Sequence, residues 1–114
     1  MKRLMLVLLL VACKKESAPV VTGDPARGRQ IVQQYGCASC HDIPHVSGAR
    51  GMLGPPLTQF ASRELVAGKF PNTPENLIKY LQNPQSADPA NVMPNLGLTT
   101  DQSRDIAAFL YTLK

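Results

Sequence analysis

Cys37-Ala38-Ser39-Cys40-His41 carries the densest chemistry in the chain. Two thiols separated by two residues, followed at once by an imidazole, make the spacing that fastens a c-type haem to a polypeptide. Each thiol adds across one vinyl group on the haem edge, and the two-residue gap lets both reach it from one turn of backbone. The next residue then lies under the iron, where an imidazole nitrogen can ligate it.

Two other chemistries use cysteines at this spacing. A closed zinc site takes four ligands, and here only Cys37, Cys40, His41 and His45 could serve, all within nine residues. A thioredoxin-like dithiol belongs in a βαβ context, and no strand pattern is evident in the sequence. Covalent haem attachment is therefore the expected chemistry, and the iron then needs a sixth ligand. His45, Met52 and Met93 can supply one. His45, four residues past His41, would have to cross to the other haem face over very little chain, and it reads as a solvated loop histidine. Met52 is close in sequence to the His41 side. Met93, 52 residues past His41, lies beside Pro94 in an irregular loop with little other apolar content and can approach from the far face. Met93 is the expected ligand. A loop methionine would otherwise be an ordinary packing residue.

The elements that must position these groups are short and helical. Asp24-Pro25 is an N-cap followed by proline at the first helical position. Gly28, Ile31, Val32 and Tyr35 fall on one helical face, and Gly36 ends that helix just before Cys37. Glycine inside a helix costs about 1 kcal/mol relative to alanine, so Gly28 marks the close approach of another helix. Phe60, Ala61 and Leu65 suggest a further short helix stopped by Gly68. Thr73-Pro74-Glu75 opens another, with Leu77, Ile78 and Leu81 on its apolar face and Asn83-Pro84 at its end. Thr99 and Gln102 have capping-box spacing before a last helix whose apolar face is Ile106, Phe109, Leu110 and Leu113. The fold class is all-α, with the first and last helices as a crossing pair.

Composition agrees with a small domain built around an apolar cofactor. The 114 residues include 5% aromatics and no tryptophan, a thin core for one domain. The formal charge is +4, but Lys2 and Arg3 belong to the N-terminal segment, and without them ten cations face eight carboxylates. No basic stripe remains to suggest nucleic acid. In residues 1–12 two cations precede a run of nine apolar residues, far short of the ~20 that span a bilayer, and the segment reads as a secretory signal. Leu10-Val11-Ala12-Cys13 resembles the bacterial lipobox, which implies cleavage before Cys13, lipidation of that cysteine and an extracytoplasmic, membrane-anchored protein. Residues 13–22 then form a lipidated tether, and residues 23–114 the functional domain.

Taken in order, helix, CxxCH, Gly54-Pro55-Pro56-Leu57, helix, Tyr80-Leu81-Gln82-Asn83-Pro84, a methionine loop and a C-terminal helix, residues 23–114 resemble the class I cytochromes c. The resemblance implies about four short helices around one covalent haem c. It implies that Gly28 meets Phe109 where the terminal helices cross. It further implies that the Pro55 carbonyl accepts a hydrogen bond from His41, that Leu57 packs on the haem, and that the Tyr80 hydroxyl lies near the Met93 sulfur. Arg63 and Asn91 fall where the family often places groups near a propionate. Two features depart from the mitochondrial members: Asn72 stands about where they have a tryptophan, and the expected rim (Ala38, Ser39, Met52, Leu53, Val92) holds none of their lysines. Residues 65–77 and 93–113 are similar to bacterial cytochrome c domains found with terminal oxidases, some of them fused to oxidase subunit II.

The implied function is a monomeric one-electron carrier, not an enzyme, between an upstream quinol oxidoreductase or cytochrome and a terminal oxidase. An open or labile sixth position would instead make a peroxidase-like enzyme or a small-ligand sensor.

Overall fold

The computed structural model describes residues 21–114. The signal segment, Cys13 and all of the tether except Val21 and Thr22 lie outside the described residues. Helix α1 spans Pro25–Gln34, and the Asp24 carboxylate accepts hydrogen bonds from the amides of Ala26 at 2.9 Å and Arg27 at 3.2 Å. Gly28, Ile31 and Val32 are its buried face, whereas Tyr35 is the C-cap and stays exposed, its hydroxyl accepting from Gln102 Nε2 at 3.1 Å. Gly36, at φ +75°, then turns the chain in a left-handed conformation that favours glycine.

Helix α2 spans Pro74–Gln82 and is capped by Thr73, whose hydroxyl accepts from the Asn76 amide. Helix α3 spans Thr100–Leu110, and the expected capping box is present: Thr99 Oγ1 accepts from the Gln102 amide at 3.1 Å, and Gln102 Oε1 accepts from the Thr99 amide at 2.9 Å.

Helices α1 and α3 cross as expected. A side chain on Gly28 would run into the backbone of Asp105 and Ile106, so the notch fits the α3 main chain and not, in the first place, the Phe109 ring. The crossing is also stitched electrostatically. Asp105, buried on α3, accepts the Asp24 amide at 2.8 Å and lies 3.6 Å from the Arg27 guanidinium. A buried carboxylate left without such partners would be costly. Ile31, Val32, Leu77, Leu81, Ile106, Phe109 and Leu110 form the centre of the core.

Between Phe60 and Val66 the expected helix is reduced to a single 3-10 turn, Phe60–Ser62. A two-residue antiparallel ladder follows, β1 Leu65–Val66 against β2 Phe70–Pro71. Ala67 and Gly68 both take positive φ, and the Lys69 amide closes the turn onto the Val66 carbonyl at 3.1 Å. No helix among the described residues is long and apolar enough to cross a membrane.

Candidate functional site

The pentapeptide folds as one tight turn. Cys37–Ser39 is a 3-10 turn, and the amides of Cys40 and His41 both donate to the Cys37 carbonyl, at 3.2 and 3.0 Å. Neither Cys37 nor Cys40 is in a disulfide. Burial pushes the Cys37 thiol above its ordinary value. A dithiol redox centre needs the opposite shift, because its nucleophile is the thiolate. Among the described residues no three or more His, Cys, Asp or Glu side chains gather to hold a metal ion by themselves.

His41 is fixed from two sides. Its Nδ1 lies 2.7 Å from the Pro55 carbonyl oxygen, which can only accept, so Nδ1 carries the proton and donates. In the neutral ring the lone pair is then on Nε2, the form a metal requires. The ring lies against the backbone of Gly54, where any Cβ would overlap the imidazole. The loop that brings Gly54 and Pro55 there is tied back to the motif: the Gly54 amide donates to the Cys40 carbonyl at 2.7 Å, and the Leu57 amide to Asp42 at 2.8 Å.

Cys37 and His41 open onto a cavity of about 640 Å³, within the range of cofactor sites. Val32, Leu57, Phe60, Leu77, Leu81 and Ile106 give it apolar walls. Tyr80 and Met93 also line it, and both line the adjoining 250 Å³ space against Cys40. The expected residues Cys37, Cys40, His41, Pro55, Leu57, Tyr80 and Met93 therefore all line one or both of these spaces. His45 and Met52 are not: both are exposed, Met52 94% so, and neither lines these spaces. An apolar hollow with a metal-ready imidazole, a thioether and two thiols at its margin fits a covalent haem.

The two residues expected near a propionate differ in their commitments. Arg63 lines the cavity, with its guanidinium on the Pro56 carbonyl and 5.6 Å from the centre of the Phe60 ring. The Asn91 amide is committed to the methionine loop: it donates to the Tyr80 hydroxyl at 2.9 Å and to the Pro84 carbonyl at 3.2 Å, and accepts from the Met93 amide at 3.0 Å. Three further residues carry no motif that would have marked them. Lys69 lines the cavity and donates to the Ala87 carbonyl at 2.9 Å. Asn72 ties Phe60 and Arg63 together through their carbonyls at 3.1 and 3.0 Å and accepts from the Tyr111 hydroxyl at 2.8 Å. Gln85 donates to the carbonyls of Asn91 and Met93.

Around the mouth, Leu53 is 82% and Val92 87% exposed. Lys69 is held on the Ala87 carbonyl, and Lys79 is paired with Glu75 at 2.9 Å.

The model of the family described as Cytochrome c matches residues 25–114. Two curated relatives are similar to this chain. One is a cytochrome c oxidase subunit 2 of Alkalihalophilus pseudofirmus, 35% identical over 89 residues, which are 77% of this chain and 25% of that protein. The other is a cytochrome c oxidase subunit 2 of Bacillus sp. strain PS3, 32% identical over 100 residues, 84% of this chain and 28% of that protein. The chain spans about a quarter of the length of these relatives.

Proposed function

The chain belongs to the cytochrome c family, which carries a covalently bound haem c, and on that premise we propose that it is a membrane-tethered one-electron carrier delivering electrons to a terminal oxidase. In this reading Cys37 and Cys40 each add sulfur and hydrogen across a haem vinyl bond. His41 Nε2 and the Met93 sulfur would hold the haem iron. The bound haem supplies a one-electron iron couple, and thioether ligation raises its potential. The protein's part is to keep both axial positions filled and to exclude water.

The observation that carries the reading is the fixed tautomer of His41, set by the 2.7 Å contact with Pro55 beside a cavity that Met93 also lines. With two strong ligands in place, no position is open for a substrate, so an electron passes with little rearrangement. Leu57 and Tyr80 are haem contacts in the same reading. Support for an oxidase as acceptor comes from the two relatives, each a cytochrome c oxidase subunit 2. A quinol oxidoreductase or another cytochrome is the electron donor, and residues 23–114 work as a monomer. Residues 1–12 are a signal peptide, and a lipid on Cys13, with the tether through Thr22, holds the domain on the extracytoplasmic face of a membrane.

The test is to mix the reduced protein with oxidase-containing membranes and, separately, with CO. One-electron reoxidation sensitive to an oxidase inhibitor, with CO binding slow and incomplete, is the expected result. Rapid CO binding together with peroxidase turnover would overturn the carrier reading in favour of an enzyme or sensor.

A further inference from the structure

We propose that Gln85 is a positioning residue for Met93 and so governs how firmly the sixth iron position stays closed; the inference rests on the reading of Met93 as a ligand. Met93 lies between the 3-10 turn Pro84–Ser86 and α3, in a stretch without α-helix or ladder. A ligand on such a stretch leaves the metal by movement of its backbone. What pins that backbone therefore sets how often the ligand leaves.

The Met93 backbone is pinned at both polar groups, each time by a side chain. Its N–H donates to Asn91 Oδ1 at 3.0 Å. Its carbonyl accepts from Gln85 Nε2 at 2.7 Å. The same Gln85 nitrogen donates to the Asn91 carbonyl at 3.1 Å, so both hydrogens of one amide hold the loop. Gln85 follows Pro84, among the most deeply buried residues, so the clamp is built on a fixed base. The Pro84 carbonyl and the Tyr80 hydroxyl take the two hydrogens of Asn91, which closes the network onto α2. Val92 and Pro94, on either side of Met93, are exposed and supply no comparable hold.

Gln85→Met keeps the length and packing of the side chain and removes both donors. Cyanide binding to the ferric holoprotein, which must wait for Met93 to leave, reads the effect at a temperature well below unfolding. The expected result is a rate about 5- to 150-fold above wild type, the factor that two ordinary hydrogen bonds are worth in an equilibrium. Gln82→Met, which removes a 3.0 Å contact to Thr100 outside the loop, leaves the rate unchanged. If Gln85→Met yields no holoprotein, Gln85→Glu is read in the same way, since its carboxylate also lacks the donors. A Gln85 variant within twofold of wild type, while Met93→Ala binds cyanide freely, overturns the clamp and leaves the ligand reading intact. An unchanged rate in Met93→Ala overturns the ligand reading and the clamp with it.

Discussion

Gly28→Ala tests how far the fold depends on the closeness of its terminal helices. An alanine Cβ there would stand 2.9 Å from the Ile106 amide nitrogen and nearer still to the Asp105 carbonyl. Backbone atoms of a helix cannot swing aside, so α1 and α3 must part by about 1 Å. Overpacking of this kind costs about 1–3 kcal/mol. The separation also stretches the 2.8 Å bond between the Asp24 amide and the buried Asp105 carboxylate, and a hydrogen bond to a charged group is worth about 1.5–3 kcal/mol. Alanine's better helix propensity returns up to about 1 kcal/mol. The net expectation is a loss of about 2 kcal/mol, or a fall in Tm of about 8–16 °C for a domain of this size. Thermal unfolding of the ferric holoprotein, followed by far-UV circular dichroism, measures it. Gln33→Ala, at an exposed position of the same helix, should stay within about 0.5 kcal/mol. Equal stability of Gly28→Ala and wild type would refute the contact as the reason for the glycine.

One further prediction concerns a single phenol and another the cavity mouth. Burial raises the Tyr111 phenol to about 12 from an ordinary 10, so the folded state prefers its neutral form. Its contribution to stability is present in full below about pH 10 and is lost as pH rises through about 12; the unfolding midpoint should fall across that window, and a Tyr111→Phe variant with an equally steep fall would contradict this. At the cavity mouth, exposed Leu53 and Val92 present no charge to a partner. Electron transfer to an oxidase should therefore vary less than about threefold between low and physiological salt, where lysine-steered docking falls steeply, and stopped-flow rates at several ionic strengths would show which holds.

Much of this architecture is legible in the sequence because local chemistry and tertiary role coincide there. Asp24-Pro25, Thr73-Pro74 and the Thr99/Gln102 pair are capping chemistries that act within four residues of themselves, and each helix begins where they predict. Gly28 is legible because a glycine on an apolar helical face has few other uses. Residues 60–66 are less legible. Their apolar spacing suits a helix, but the segment is held by distant groups: the Asn72 side chain on the Phe60 and Arg63 carbonyls, and the Ala61 amide on the Leu113 carbonyl at 2.9 Å. Ala67 takes a positive φ that no local preference announces. Tyr35 has the helical period of a core residue but sits one step past the end of α1, where the apolar face has run out. Gln85 and the true partners of Asn91 were beyond reach, since a polar residue in a loop carries no period and its partner is decided only when the loop closes.

In the proposed function His41 and Met93 together close the iron. The most direct measurement is the ferric charge-transfer band and the reduction potential of the wild-type holoprotein beside Met93→Ala and Met52→Ala. Met93→Ala is expected to abolish the thioether band and lower the potential, while Met52→Ala, altered at a side chain 94% exposed and away from the cavity, changes neither. A band and potential that survive in Met93→Ala would contradict it.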